Sequence, residues 1–256
     1  MVIKTVQWNI GGGKIRRPDS DPMDPLSYCV DALDSIADTL SSLGPDIITI
    51  QEAHSGRERK QIEYLAHQLG IRNFVEDIYD SSHLEEGQDL SQGIISRFPI
   101  RAHSFQLFYN PKLETIGPKG ERWTSHDKGV SGCMIAAGEG ELNLKTSHSF
   151  PARRYKVDPL GEEIGELRKD MAVKLKPEAD RYLYQGDLNY NEWSVKPFLP
   201  DLFESGVTEV VLDQPTTPKG RKYDRIIFRN LEHLASVVIK NVLTDHFPIY
   251  SEFEIN

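Results

Sequence analysis

Apolar residues along the chain fall into two alternating patterns: continuous or every-other-residue runs of strand type, and runs spaced by three and four of helix type. Val2 to Trp8 is the first strand. From Leu26 the apolar positions are Val30, Leu33, Ile36, Ala37, Leu40 and Leu43, which predicts a helix with one buried face, closed by Gly44-Pro45. The run Asp46 to Ile50 predicts a buried strand that delivers Gln51-Glu52 at its end. A second helix is expected over Arg59 to Leu69, with Ile62, Leu65, Ala66 and Leu69 inward and Gly70 as its stop. Asp77 to Gln92 is polar and reads as loop, leading to a short buried strand around Ile94-Ile95. Pro111 to Lys128 is rich in Gly, Pro and charge, which predicts a long surface loop of the kind that carries function.

Ser131 to Ala137 and Glu141 to Thr146, joined through Gly138-Glu139-Gly140, read as a hairpin whose second strand runs into Ser147-His148-Ser149. A helix over Ile164 to Leu175 stops before Pro177. The strand beginning at Arg181 then ends in Gly186-Asp187-Leu188-Asn189. On an extended backbone Asp187 and Asn189 face the same way, so an acceptor and an amide converge as a metal-bound water or a phosphate oxygen would require. The same residue types also favour a turn. Trp193 to Phe203 resembles a short, imperfect helix, and Arg221 to Phe228 a basic loop entering a strand. Strands over Ala235 to Ile239 and Ile249 to Ile255 flank Thr244-Asp245-His246-Phe247-Pro248. With no repeat or linker, residues 1–256 form one expected domain, and the strand, helix, strand order favours a layered α/β fold.

At 256 residues, 38% hydrophobic and 27% charged, the chain can bury a large core. No apolar run approaches the roughly 20 residues of a membrane helix, and the N-terminus lacks the features of a signal peptide. Cys29 and Cys133 lie far apart in apolar settings and read as reduced core residues of a cytoplasmic protein; a monomer is also expected. The net charge of -9 argues against a protein that coats nucleic acid but is compatible with a local positive groove.

Gly11-Gly12-Gly13-Lys14 follows a strand, yet it is not a P-loop: Trp8 and Ile15 stand where a glycine and a Ser or Thr are needed. The dinucleotide fingerprint fails at Arg16, which leaves a mobile glycine loop carrying Lys14, Arg16 and Arg17. Gly129-Val130-Ser131-Gly132 has Cys133 where a nucleophile elbow needs glycine, and two scattered cysteines without a close histidine pair make no zinc motif.

What the strand ends do offer is Asn9, Glu52, His148, Asp187, Asn189, Asp224, Asp245 and His246. Taken in order, Trp8-Asn9, Gln51-Glu52, Gly93 to Pro99, His148, Gly186 to Asn189, Tyr223-Asp224 and Thr244 to Pro248 resemble the motifs of the endonuclease/exonuclease/phosphatase superfamily, which includes pancreatic deoxyribonuclease and abasic-site endonucleases. The resemblance covers residue 8 to about residue 250. It implies a four-layered α/β/β/α sandwich of two mixed, mainly antiparallel sheets, and a magnesium-dependent hydrolase of phosphate esters, with manganese as a substitute ion.

The residue chemistry agrees, because magnesium takes oxygen ligands: Glu52 is the natural principal ligand, with Asn9 and Asp245 beside it. By the resemblance, His246 is a base or base relay oriented by Asp224, Asp187 and Asn189 align water and phosphate, and His148 donates to phosphate or protonates the leaving group. Asp187 and His246 both remain as the group that takes the proton, and one or two ions both remain open. Deoxyribonuclease-like members support the residue matching His148 with a glutamate, where this chain offers Gln92 or Asp89.

The same fold serves nucleases, inositol-phosphate phosphatases and sphingomyelinases. Lys14-Arg16-Arg17, Arg57-Arg59-Lys60, Arg153-Arg154-Lys156 and Lys219-Arg221-Lys222 all lie in loops beside the motif strands, forming a phosphate-attracting mouth in an acidic protein. That pattern favours DNA or RNA over a small phosphate ester, with Arg153, Arg154, Arg221, Lys222 and Gln92 as substrate contacts. A non-catalytic binding module is the third reading.

Overall fold

The structure is a computed structural model that describes residues 1–56, 60–117 and 120–255. In chain order it contains β1 (Val2–Asn9), β2 (Lys14–Arg16), β3 (Tyr28–Asp31), α1 (Leu33–Leu43), β4 (Ile47–Ser55), α2 (Gln61–Gln68), β5 (Asn73–Ser81), β6 (Asp89–Ser96) and β7 (Ile100–Leu107). There follow β8 (Glu114–Ile116), β9 (Arg122–Thr124), β10 (Gly129–Ala137), β11 (Gly140–Ser147), α3 (Gly165–Lys174), β12 (Arg181–Asp187) and α4 (Pro200–Phe203). The chain closes with β13 (Thr208–Glu209), β14 (Asp224–Arg229), β15 (Glu232–Val238) and β16 (Ile249–Glu254).

Two six-stranded sheets dominate, ordered β15-β16-β1-β4-β6-β5 and β13-β14-β12-β11-β10-β7. Each is mixed: β1 pairs parallel with β4 and β11 with β12, while the other pairings within these sheets are antiparallel. Ile3, Ile47, Ile94 and Phe253 of the first sheet pack against Cys133, Leu144, Leu183 and Ile226 of the second, forming the central core. The outer face of the first sheet, with Val6, Trp8, Ile48 and Ile50, is covered by α1 and α2. The outer face of the second, with Tyr182 and Tyr184, is covered by α3 and α4. These are the four layers of an α/β/β/α sandwich, as expected.

Strand periodicity explains where the polar end of this core arises. Along β1 the residues Ile3, Thr5, Gln7 and Asn9 are all buried and share one face, and along β12 so do Leu183, Gln185 and Asp187. Both stripes pass from apolar through amide to ligand-type residues in the same direction. Buried amides tie the sheets together on the way: Gln51 Nε2, whose Oε1 accepts from its sheet neighbour Gln7 Nε2 at 2.7 Å, donates to Thr146 Oγ1 at 2.8 Å, and Gln185 Nε2 donates to Thr5 Oγ1 at 2.8 Å. Gly186 is required for close packing, since a Cβ there would lie 2.4 Å from the Ser147 carbonyl oxygen.

Several sequence expectations are corrected. The helix expected from Leu26 begins only at Leu33; Leu26 is exposed and Val30 lies on β3, so their spacing matched a helix by coincidence. Cys29, on the same outlying ribbon, is exposed, whereas Cys133 is buried as expected. Asp77 to Gln92 contributes to β5 and β6, because an edge pair can be polar on its open side. The loop from Pro111 contains the β8–β9 hairpin, and Trp193 to Phe203 is helical only over Pro200–Phe203. Arg57 and Arg59, including the expected start of the second helix, lie outside the described residues. No helix among them is long and apolar enough to cross a membrane.

Candidate active site

The inward stripes of both sheets end at one place. Asn9, at the end of β1, donates its amide to Asp187 Oδ2 at 3.0 Å across 178 residues of chain. Asp187, at the end of β12, lies with its Oδ2 3.7 Å from His246 Nε2 and 3.8 Å from His148 Nε2. His246 Nδ1 is 2.9 Å from Asp224 Oδ2, and Gln7 Nε2 donates to the other Asp224 oxygen at 2.9 Å. Asp224 is thereby fixed by two partners, and as an acceptor it places the proton of a neutral His246 on Nδ1. The lone pair of Nε2 then faces Asp187.

Glu52 reaches the centre by a local distortion. The register between β4 and β6 slips between Ile50 and Ala53, and Glu52 takes φ +51 in the left-handed region. Regular alternation would have sent Glu52 outward with Ile48 and Ile50; the bulge turns it so that Oε1 lies 3.4 Å from His148 Nδ1.

Of the two readings of the stretch after Gly186, the structure shows the turn: the strand stops at Asp187, so Asn189 does not face the same way along an extended backbone. Asn189 has φ +50, and its backbone N–H donates to Asp187 Oδ1 at 2.8 Å, forming a turn closed by the aspartate. Its amide donates to the Ser149 carbonyl at 3.1 Å, so Asn189 braces the His148 segment beside Asp187.

Gln92 does not hold the His148 ring. Its Oε1 accepts the His148 backbone N–H at 3.1 Å, and its Nε2 contacts Gly129 O, Ser131 Oγ and Thr146 O. Fully buried, Gln92 is a brace under the site and not the substrate contact expected of it. The ring instead meets two residues that sequence reasoning missed. Lys128 Nζ is 3.0 Å and the Tyr79 hydroxyl 3.3 Å from His148 Nδ1, with the ammonium 4.8 Å from the centre of the Tyr79 ring. Lys128 immediately precedes β10, so its place at a strand end was the available signal; Tyr79 was hidden by the reading of its segment as loop.

The electrostatics follow from burial. Desolvation, reinforced by Asp224, raises Asp187 to about 7, while His246 and its amide donors hold it back. Burial opposes charge on His246, but Asp224, Asp187 and Asp245 together outweigh it and push its pKa up. His148 is driven down by burial and Lys128. Burial brings Lys128 down to about 8, against the pull of Glu52 and Asp187.

Two donor sets compete as a cation site. Asp187, Asp224 and His246 offer mutually close ligand atoms. Their carboxylate oxygens, however, already accept hydrogen bonds from Asn189, Asn9, Gln7 and His246. Asp245 is different: its Oδ1 is buried with no hydrogen-bond partner among the described residues, and burial followed by the Glu52 charge raises its pKa. Gly11, at φ +51, makes room for it, since a Cβ would lie 2.8 Å from that oxygen. An uncompensated buried carboxylate oxygen with the Glu52 charge near it fits a hard cation held by Glu52 and Asp245, with Asn9, whose Oδ1 accepts the Gly11 N–H at 3.1 Å, as a further oxygen ligand. The glycine loop itself is tightly packed rather than mobile: Gly12 and Gly13 are buried against His54 and Gln61.

The basic rim is less uniform than its sequence suggests. Lys14 is paired with Glu85 at 2.9 Å, and Arg153 with Glu192 at 2.9 Å. Arg154 lies over the Trp123 ring, Lys222 over the Trp193 ring, and Arg221 is exposed.

No protein-family model matches the sequence, and no curated protein matches it. Solved structures do. An endonuclease/exonuclease/phosphatase from Beutenbergia cavernae superposes with a TM-score of 0.76 at 16% identity, over 100% of this chain and 72% of that one. D. rerio TDP2 complexed with a single-strand DNA product gives 0.62 at 15% identity, over 99% of each chain. The Bacteroides thetaiotaomicron mannosyl-6-phosphatase Bt3783 gives 0.64 at 12% identity, over 98% and 99%. The chain therefore has the endonuclease/exonuclease/phosphatase fold that its ordered motifs implied.

Proposed function

We propose that this chain is a divalent-metal-dependent hydrolase of phosphate esters that acts on nucleic-acid phosphodiesters. The observation that carries the reading is the His246–Asp224 pair, 2.9 Å apart and buried, with His246 Nε2 aimed at Asp187 beside the unpartnered Asp245 oxygen. A positioned acid–base group next to a cation site is what attack of water on phosphorus needs.

In this reading Asp187 and His246 Nε2 act as one unit that holds and moves a single proton, since both pKa values are raised and the atoms face each other. Asp224 keeps the imidazole in the tautomer that exposes Nε2 to the reacting water. Asn9 fixes the Asp187 carboxylate by donating to it, and Asn189 holds it from the other side through its backbone N–H. His148 donates Nε2–H to a non-bridging phosphate oxygen. Glu52, Asp245 and Asn9 would hold magnesium, or manganese in its place, which when bound supplies charge stabilisation to the phosphate oxygens.

Nucleic acid is favoured over a small phosphate ester by the cations and aromatics around the mouth of the site and by the single-strand DNA product bound to TDP2. The mannosyl-6-phosphatase with the same fold keeps the small-ester reading as the competing outcome. The test is hydrolysis of DNA, RNA, inositol phosphates, sugar phosphates and sphingomyelin with magnesium and with chelator. Metal-dependent cleavage of an oligonucleotide is expected; turnover of a small ester alone moves the assignment to a phosphatase, and no turnover of any ester leaves a binding module.

A further inference from the structure

Two open cavities of about 460 Å³ each lie against the short 3-10 helix Ala152–Tyr155, which follows His148 by four residues. The consecutive residues Arg153 and Arg154 diverge, and each lines a different cavity. Both walls include close sequence neighbours of residues at the catalytic centre. The first cavity includes Tyr190 and Glu192, which continue the turn after Asn189. The second includes Asp80 and His126, adjacent in sequence to Tyr79 and two residues before Lys128.

Each cavity also contains a tryptophan with a cation on its face. Lys222 Nζ lies 3.8 Å from the centre of the Trp193 ring, and the Arg154 guanidinium lies 5.2 Å from that of Trp123. Of the three tryptophans in the sequence, Trp8 belongs to the core and the other two both stand here, with Trp193 67% exposed. A single exposed aromatic is ordinary. Here the exposed Trp193 and the half-buried Trp123, each paired with a cation and each in a cavity lined by a different member of one arginine pair, form a repeated device.

On the phosphodiesterase reading above, we infer that Trp193 and Trp123 are stacking platforms for unpaired bases on the two sides of the scissile phosphate, so that the substrate is single-stranded nucleic acid. An indole face accepts the π-face of any base, while the neighbouring cation offsets an adjacent backbone phosphate. In a duplex those base faces are already stacked on one another, and only edges are presented. Platforms on both sides suit a diester with a nucleoside at each oxygen; a phosphomonoester would leave one empty.

The test is fluorescence-anisotropy binding of a labelled single-stranded oligonucleotide, its duplex, and a strand of the same length with abasic spacers, in calcium to suppress cleavage. Wild type, Trp193→Ala and Trp123→Ala are compared as full chains. Each variant should bind the single strand about 5- to 100-fold more weakly, the span of one lost base stack, and the abasic strand unchanged. The wild type should prefer the single strand to the duplex. Equal binding by wild type and Trp193→Ala, or an equal loss on the abasic strand, overturns the inference. Trp193 is exposed, so that variant decides the matter even if Trp123→Ala fails to fold. Metal-dependent hydrolysis without base-dependent binding would sink the platforms and leave the hydrolase; base-dependent binding without hydrolysis of any ester would do the reverse.

Discussion

The ammonium of Lys128 lies 3.0 Å from Nδ1 of His148, and both side chains are buried. An ammonium has only donors, so Nδ1 must accept and the imidazole proton must sit on Nε2, the atom facing Asp187. In place of the glutamate of deoxyribonuclease-like relatives or of Gln92, burial and the Lys128 cation together keep His148 neutral, with Glu52 Oε1 3.4 Å from the same nitrogen. A neutral donor of this kind polarises a phosphate oxygen without transferring its proton. Lys128→Met should lower turnover at least about tenfold with little change in KM. Unchanged turnover would show that Lys128 is only a buried neighbour.

The same burial makes stability depend on pH. Lys128 titrates at about 8 in the folded chain against 10.5 for an ordinary lysine. Between those values the unfolded chain holds a proton that the folded chain has released, so stability rises with pH across that window. The penalty below it is on the order of 3 kcal/mol at about 1.4 kcal/mol per pH unit. Urea unfolding at pH 7 and pH 10.5, in chelator, should show wild type gaining about that much relative to Lys128→Met as pH rises. An unchanged difference would mean that Lys128 is not desolvated.

On the proposed function, the Asp245 oxygen that no donor among the described residues satisfies predicts metal dependence. Chelation should abolish hydrolysis and magnesium or manganese should restore it, while Glu52→Gln and Asp245→Asn should each raise the metal concentration needed for half-maximal activity by about tenfold or more. Asp224→Asn, which perturbs the histidine pair instead, should leave that concentration nearly unchanged. Full activity in excess chelator would defeat the assignment.

For the proton-handling pair, His246→Ala and Asp187→Ala should each lower the rate by about 10²-fold or more with the fold retained. If the two act as a unit, as proposed, the double variant should be little worse than either single one. The exposed His67→Ala is a suitable control; His54 is not, since it is buried and bonded to Ser82. Multiplicative losses in the double variant would separate the two roles.

The legible parts of this protein were those set by local pattern. The β10–β11 hairpin, the Gly44 stop in the left-handed region and the strand-end positions of Asp187 and His148 all follow from spacing and residue type. What escaped depends on contacts distant in sequence. The bulge that turns Glu52 inward is set by pairing with β6, some 40 residues on. Tyr79 and Lys128 meet His148 only because β5, β10 and β11 converge; the place of Lys128 at a strand end marks it as a candidate but not as buried. Polar edge strands such as β5 resemble loops because their side chains face water on one side.

The basic clusters require a sharper prediction than their sequence suggested, because their members differ in what holds them. Arg153 is ion-paired with Glu192, whereas Arg154 lies over Trp123 and pairs with no carboxylate among the described residues. A cation already neutralised by a carboxylate gains little by meeting a phosphate, since one pair replaces another. One without such a partner releases a counterion from the nucleic acid. Arg154→Ala should therefore flatten the dependence of log affinity on log salt by about 0.7 unit for a single strand, and Arg153→Ala by much less. Arg221, exposed in its loop, should behave like Arg154; Lys222, whose Nζ donates to the Leu212 carbonyl at 2.7 Å beneath Trp193, should lose affinity mainly through the tryptophan it supports. Oligonucleotide binding across a salt series in calcium, for the four single alanine variants, reads this directly. Equal slopes for Arg153→Ala and Arg154→Ala would show that the Glu192 pair dissolves in solution, and slopes identical to wild type in all four would remove these side chains from the backbone track.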